Sequence, residues 1–395
     1  MQAVILAAGK STRTYPLTVY RPKVLLKVAN KTLLEHNLDQ LEGMVDEAIL
    51  IVGFKKEMIT EAIGDQYKNI AIKYVEQKEQ LGTGHALLQA RDLIHDRFLM
   101  LAGDDLYSGK DIKKLIKYKY AALAKQVADP SRFGVFITEG QKARGIVEKP
   151  KEFVSDLANT SCYVLDKDIF THLTRLETSE RGELELTDAI HDIAASEDFF
   201  VETIQDFWLP IGYPWNLLEA NAHFLNPIEQ EIKGTIEENV FIKGNLVLGK
   251  GSVILSGSYI EGNVVIGKNC KIGPNAYIRG LTCIGDSCRI GPAEISSSIF
   301  FDECRCDHAA YVGDSILGEK AHLGAHTVVA NLRHDGKNPK SMVKGTLIDT
   351  GRRKLGAILG DRINTGINTL FYPGRKMWPG TFTRPGEIVT EDIVA

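Results

Sequence analysis

The sequence lacks what would anchor it in a membrane or staple it outside a cell. No apolar run approaches the about 20 residues that a spanning helix needs. Met1-Gln2-Ala3 leads at once into an apolar run, so no signal peptide is expected. The six cysteines are Cys162, Cys270, Cys283, Cys288, Cys304 and Cys306, with no CxxC pair and no dense framework. They read as reduced thiols of a cytoplasmic protein, a Cys304/Cys306 metal pair being the alternative. Excess charge is lacking too. The formal net charge of −4 excludes a nucleic-acid binder as a whole, so basic residues must act locally. What remains is an ordinary globular balance, 44% apolar and 25% charged. The 395 residues suffice for two or three domains.

The first informative stretch runs from Leu6 to Lys23, LAAGKSTRTYPLTVYRPK. The run Ala3 to Leu6 reads as a buried strand that ends at small residues, Ala8 and Gly9, where a ligand can approach the backbone. Lys10, Arg13 and Lys23 follow. Backbone N–H groups in a tight turn with fixed cations suit a polyphosphate. On composition alone, a plain βα loop with solvated lysines fits equally well.

Downstream, Ala48 to Val52, Ile72 to Val75 and Phe98 to Leu101 read as strands. Leu33 to Leu41, Glu57 to Ile63 and Ala86 to Leu93 have helical spacing. This alternation predicts a doubly wound α/β sheet over residues 1–225, with ligands outside the carboxyl ends of its strands. Asp104, in Leu101-Ala-Gly-Asp104-Asp105, then stands at a strand end as a candidate Mg²⁺ ligand, and Asp105 reads as a helix N-cap or a supporting group.

From about 226 to 395 the pattern changes. Ile236, Ile242, Leu248, Ile254, Ile260, Ile266, Ile272, Ile278, Ile284 and Ile290 recur every six residues. That period matches neither a helix nor a simple strand. It predicts a coil with three short faces, each aliphatic side chain stacking inside a prism: a left-handed parallel β-helix. The register breaks near Ser296 and resumes at Val312-Gly313, Leu317-Gly318 and Leu323-Gly324. A polar insertion runs from Asn331 to about Arg353, and such insertions commonly carry function. The aromatic and proline-rich stretch Leu370 to Pro385 is expected to cover the prism end or a partner.

The opening stretch resembles the signature of sugar-1-phosphate nucleotidyltransferases, LAAGxGTRLxPLT followed by RPK, with Ser11 for the second glycine and Thr14 for the leucine. The resemblance implies that Ala8 and Gly9 approach the nucleotide, Arg13 binds its triphosphate and Lys23 bridges the reacting phosphates. Tyr74 to Ala86, YVEQKEQLGTGHA, resembles the base-recognition segment of the uridyltransferases. It implies that Gln77, Gly82 and Thr83 contact a pyrimidine nucleotide, UTP or dTTP; taken alone, Gln77 is a surface glutamine. Asp104 maps to the metal ligand. Segments around Phe133-Gly134, Val147-Glu148-Lys149-Pro150 and Ala158-Asn159 resemble the sugar side of the family. They imply that Gly134, Glu148 and Asn159 hold sugar hydroxyls and Lys149 the sugar phosphate, and Gly182 to Asp188 resembles a further sugar-side segment. Pro210 stands where the family often has a second metal-binding acid, leaving Asp104 alone or aided by Asp206.

Cys306 to Lys340 resembles the acetyltransferase end of bifunctional N-acetylglucosamine-1-phosphate enzymes. That resemblance implies His308 as general base, with Arg279, Tyr311, Asn331, Lys337 and Lys340 holding and orienting an amino-sugar-1-phosphate before acetyl-CoA. An imidazole suits the role because it titrates near neutrality, although a lone loop histidine is often merely solvated. Ser296, His322 and His326 depart from the family pattern. The expectation is a bifunctional, cytoplasmic, trimeric enzyme that joins a sugar-1-phosphate to UTP or dTTP and acetylates an amino-sugar-1-phosphate. Two alternatives stand beside it: a nucleotidyltransferase whose prism only oligomerises, and a non-catalytic sugar-nucleotide sensor.

Overall fold

The computed structural model describes residues 1–179 and 182–394. Two compact units emerge. One holds Met1–Lys10, Pro22–Leu25 and Leu33–Pro210; the other holds Ser11–Arg21, Leu26–Thr32 and Ile211–Ala395. Among the described residues no helix is long and apolar enough to cross a membrane.

The first unit is built on a ten-stranded sheet. Its parallel part comprises the strands Gln2–Ala7, Glu47–Val52, Ile70–Glu76 and Phe98–Ala102. Each is one to three residues longer than the apolar run that announces it. Helices Leu33–Leu41 and Lys56–Ile63 make the crossovers. The helical stretch foreseen over Ala86 to Leu93 instead starts at Thr83 and stops at Leu88, and a separate 3₁₀ turn covers Arg91–Leu93. The central strands Gln2–Ala7, Glu47–Val52 and Phe98–Ala102 are buried on both faces and are nearly continuous apolar runs, whereas Ile70–Glu76 alternates buried and exposed residues.

The chain order decides where a ligand can sit. Gln2–Ala7 lies between Glu47–Val52 on one side and Phe98–Ala102 on the other. The chain winds outward to Ile70–Glu76 and then returns to the opposite flank. The reversal leaves a crevice beyond the carboxyl ends of Gln2–Ala7 and Phe98–Ala102. Gly103 closes the two ends together: its N–H donates to Leu6 O at 2.9 Å, and a Cβ there would meet that oxygen at 2.7 Å.

The second unit is a parallel β-helix with three sheets of eight, six and eight short strands. The six-residue ladder explains it. Ile236 and Ile254 belong to one face, Ile242 and Ile260 to the next, Leu248 and Ile266 to the third. Each aliphatic side chain lands on the one a full coil away, and Leu248 to Ile290 are all buried. The break near Ser296 is a shortened coil. Ile278 pairs with Ile295, one residue sooner than the ladder demands, and Ile290 pairs with Cys306. Cys306 therefore fills an interior slot as a small apolar group. All six cysteines are free and buried. Cys270, Cys288 and Cys304 donate their thiols to Gly285, Phe301 and Gly318 carbonyls at 3.0–3.1 Å, as Ser252 Oγ does to Gly267 O at 2.6 Å. These thiols satisfy corner carbonyls.

The polar insertion contains an antiparallel hairpin, Lys340–Val343 with Thr346–Asp349. Ser315 Oγ accepts from Ala357 N across 42 residues of sequence, where Ser252 and Cys270 span 18. Beyond it the coil resumes. Leu370–Phe371 pairs with Val328–Val329, and Met377 and Phe371 are buried inside. The Leu370 to Pro385 stretch therefore continues the prism instead of covering its end: Phe371 and Met377 fill the interior column, while Leu370, Tyr372 and Phe382 point outward.

Arg21, whose segment packs in this second unit, is buried. Its Nη2 donates to Asp361 Oδ2 at 2.9 Å and Glu319 Oε2 at 3.1 Å, with the guanidinium 5.4 Å from the Phe301 ring centre. Lys376 is also buried, and its Nζ donates to Met342 O at 2.6 Å and Tyr15 O at 3.2 Å. Burial pushes that ammonium down to about 8.

Candidate functional sites in the sheet unit and the prism

In the sheet unit, the crevice is marked by an ion pair. Lys23 opens a 3₁₀ turn and its side chain is 5% exposed. Its Nζ donates to Asp104 Oδ2 at 2.6 Å. Asp104 follows the strand Phe98–Ala102 and keeps 39% of its side chain open to solvent. A buried cation and a half-open acid thus meet at the rim where the strand order reverses.

Asp105 does not cap a helix. It begins the strand Asp105–Tyr107, faces Pro210 across a two-stranded ribbon and accepts from Trp208 Nε1 at 2.9 Å. The cap of the next helix is Ser108, whose Oγ accepts from Lys110 N. Asp206 is engaged there as well: it accepts from Ser108 Oγ at 2.8 Å. Asp104 is therefore the carboxylate paired with the buried lysine. Among the described residues no cluster of three or more His, Cys, Asp or Glu could hold a metal. One rim carboxylate fits Mg²⁺ when substrate phosphate oxygens complete the shell, as this small, reluctantly dehydrated ion commonly requires.

Gln77 is buried, not solvated. Its Nε2 donates to Gly82 O at 3.2 Å and lies 3.1 Å from His85 Nδ1. Gly82 precedes the helix Thr83–Leu88, and Thr83 Oγ1 accepts from Leu186 N at 3.2 Å. Ala8 is buried, with its carbonyl accepting from Phe54 N at 3.1 Å, while Gly9 is exposed.

The sugar-side residues also converge. Gly134 pairs with Glu148 and Val135 with Ala158, which brings Asn159 beside them. Lys149 Nζ lies 3.3 Å from Glu148 Oε1, and its backbone is left-handed at φ 47°. Asn159 is buried, donates to the Tyr163 hydroxyl and accepts from Ser161 N at 3.0 Å. Asp188, the last residue of the Gly182 to Asp188 segment, lies in this region. Burial, then the Glu185 and Glu148 charges, raise its carboxyl.

The signature loop, whose Ser11–Arg21 segment belongs to the second unit, has its own bracing. Ser11 adopts φ 51°, a region that costs a side chain about 1 kcal/mol and that glycine enters freely. Thr14 Oγ1 and Thr18 Oγ1 both donate to Ser11 O, at 2.7 and 2.9 Å. Thr14, where the signature has leucine, thus offsets the loss of glycine. Arg13 lies exposed on the Thr12–Thr14 turn.

In the prism, Arg279, Tyr311 and Asn331 come together on one face. The strands Tyr277–Arg279, Glu294–Ser296 and Tyr311–Gly313 stack in register. Arg279 donates twice to Glu294 Oε1, at 2.8 and 3.0 Å. Asn331 Nδ2 donates to Asp314 Oδ2 at 2.7 Å and to the Tyr311 hydroxyl at 3.4 Å. Gly313 makes the approach possible, because a Cβ there would meet Asn331 Nδ2 at 2.5 Å and the Tyr311 hydroxyl oxygen at 2.8 Å. Burial raises the Asp314 carboxyl, against the pull of Asn331 and Arg352. From sequence Gly313 marked only the resumed register, and neither it nor Asp314 had a role in the site. Ser296 is buried on the same rung.

His308 is exposed at a left-handed corner, φ 57°, three residues before Tyr311. His326 occupies the matching corner one coil on, and its N–H donates to His308 O at 2.9 Å. Lys337 and Lys340 are exposed in the insertion. Among the described residues no hydrogen bond or ion pair ties their ammonium groups to the Tyr311 cluster.

A cation–carboxylate grip at the switch point of a doubly wound sheet, with a hexapeptide prism in the same chain, defines a nucleotidyltransferase of the two-domain class. Residues 2–226 match the nucleotidyl transferase family model, and residues 260–371 match the GMPPB C-terminal domain model. The bifunctional protein GlmU of Methanocaldococcus jannaschii is 40% identical over 100% of this chain and 96% of its own length. The bifunctional sugar-1-phosphate nucleotidylyltransferase/acetyltransferase of Sulfurisphaera tokodaii is 39% identical over 100% and 98%. A solved UDP-glucose pyrophosphorylase with UDP-glucose shares the fold, with TM-score 0.53 and 24% identity, over 56% of this chain and 97% of that one. The chain belongs to the bifunctional sugar-1-phosphate nucleotidylyltransferase/acetyltransferase family, enzymes that combine nucleotidyl transfer with acetyl transfer.

Proposed function

We propose that residues 1–225 transfer a nucleotidyl group from UTP or dTTP to a sugar-1-phosphate, and that residues 226–395 acetylate an amino-sugar-1-phosphate with acetyl-CoA. The observation that carries the first half is the Lys23–Asp104 pair at the sheet's switch point. An oxygen of the sugar phosphate attacks the α-phosphorus. The bond to the β-phosphate breaks and pyrophosphate leaves with its electron pair. No covalent intermediate is asked of the protein; placement and charge neutralisation do the catalysis. Lys23 supplies a desolvated positive charge beside the reacting phosphates, and Arg13 supplies one for the triphosphate tail. Gln77, fixed by Gly82 and His85, presents a set amide to the pyrimidine edge. Glu148, Lys149 and Asn159 orient the sugar phosphate. Asp104 would hold Mg²⁺, which would neutralise charge developing on the phosphates.

For the second half, His308 takes a proton from the sugar amine as its nitrogen attacks the acetyl carbonyl, and the CoA thiolate departs. Arg279, Tyr311 and Asn331 hold the acceptor, and Lys337 and Lys340 approach its phosphate. Trimerisation is supported by one face of the prism. Phe241, Tyr259, Tyr277, Glu294, Tyr311, Val328, Leu370 and Ile388 stack in register. Of these, Phe241 is 63% and Ile388 55% exposed. Such an apolar column suits contact with further copies of the chain. The buried free thiols suit a cytoplasmic setting.

The test is a mass-spectrometric product profile with mixed sugar-1-phosphates, UTP, dTTP and acetyl-CoA. A nucleotide-sugar together with an N-acetylated sugar phosphate is expected. Nucleotide-sugar without CoA release would leave the prism as an oligomerisation device. UTP binding without pyrophosphate release would make the protein a sensor.

A further inference from the structure

We propose that a basic cavity in the second unit is a phosphate-binding site that serves acetyl transfer. This rests on the acetyl-transfer reading above. The cavity measures about 570 Å³, a size suited to a small ligand, and its lining includes Trp215, Glu219, Arg352, Arg353 and Lys354.

The charges do not cancel. Three cationic residues line the cavity and Glu219 is the one acid in its lining. Backbone carbonyls hold the two arginines in place without neutralising them, and among the described residues only Arg352 of the two has a carboxylate near it, Asp314 at 4.0 Å. Arg353 Nη1 donates to Gly336 O at 2.6 Å, and Arg352 Nε donates to Lys354 O at 3.2 Å. Trp215 is buried and stacks on Tyr213 with ring centres 4.7 Å apart, which makes one wall apolar and rigid. An anion carrying a ring or chain beside its phosphate matches both walls.

Arg352 links the cavity to the acetyl-transfer cluster. Its Nη2 lies 4.0 Å from Asp314 Oδ1, and Asp314 Oδ2 accepts from Asn331, which reaches Tyr311. A phosphate drawn onto Arg352 would sit one carboxylate away from the residues assigned to the acceptor. Two substrates of that reaction carry such phosphates, the amino-sugar-1-phosphate and CoA.

The experiment uses the full chain. Glucosamine-1-phosphate and CoA are each titrated calorimetrically into the wild type, Lys354→Gln and Glu219→Gln. One of the two ligands should weaken about tenfold with Lys354→Gln, the size of one lost charge-assisted hydrogen bond. The same ligand should tighten about threefold with Glu219→Gln, a gain that misfolding does not mimic. The affected ligand identifies the source of the phosphate. The KM for that substrate should rise in Lys354→Gln while pyrophosphate release stays unchanged. Both affinities unchanged in both variants would overturn the site. Inorganic phosphate, followed by phosphorus NMR line broadening, gives a reading independent of acetylation. If the wild type never acetylates, yet Lys354→Gln still weakens phosphate binding, the cavity stands as a phosphate site and its link to acetylation falls.

Discussion

The sheet unit and the prism position reactive side chains by opposite means. In the sheet, two distant segments meet because the strand order reverses, and one pair, the buried Lys23 with the half-open Asp104, results. In the prism most coils repeat the last, apart from the shortened coil near Ser296 and the insertion, so the interior offers mainly packing. Chemistry is pushed out to the corners and the insertion, where His308, Asn331 and Arg352 lie. The sheet thus concentrates its site in a few buried contacts. The prism spreads its site over exposed groups that can be lost singly.

The widest test of that contrast is Lys23→Ala. Pyrophosphate release should fall about a thousandfold, with CoA release untouched. A matching fall in both would mean the two sites are one cooperative system. Next is Arg21→Ala, which leaves the buried Asp361 without its cation while Glu319 keeps Lys320. Removing one partner of a buried ion pair costs about 3 kcal/mol or more, read as a lowered denaturant midpoint. A change below about 0.5 kcal/mol would place Arg21 among the dispensable surface charges. His308→Ala should slow CoA release about a hundredfold while pyrophosphate release holds. Gly313→Ala should lower the same rate through the displaced Asn331 and Tyr311, by roughly tenfold, with the fold intact by circular dichroism.

The smallest effect concerns pH. Lys376 binds its proton less tightly in the folded chain, titrating at about 8, than in the unfolded chain, near 10.5, mainly because of burial. Between those values the unfolded chain holds more protons, so stability rises with pH across that window and is flat below it. About 1 kcal/mol should be gained between pH 8 and pH 9, and Lys376→Met should erase the slope in urea melts.

What could be read in the linear sequence follows the range of the interactions. The aliphatic ladder and the apolar strands are local patterns, and the prism and the parallel sheet followed from them. The shortened coil did not: Cys306 reads as a possible metal ligand until Ile295 is seen to pair with Ile278, which places the thiol inside. Asp105 reads as a cap because nothing nearby announces Trp208, 103 residues away. Gln77 reads as solvated until Gly82 and His85 enclose its amide. Asp314 and Gly313 matter only through Asn331, across a full coil. The missing acid at Pro210 was visible, whereas the commitment of Asp206 to Ser108 needed three dimensions.

Arg21 has a bearing on how such a chain can be inherited. It sits in the middle of the triphosphate signature, only two positions before Lys23, yet its counter-ions are Glu319 and Asp361. A gene split near codon 225 would hand one product an uncompensated guanidinium and leave the other with Asp361 stripped of its cation, Glu319 keeping only Lys320. Recombination that swaps one half for a foreign partner meets the same obstacle unless both acids travel with the new half.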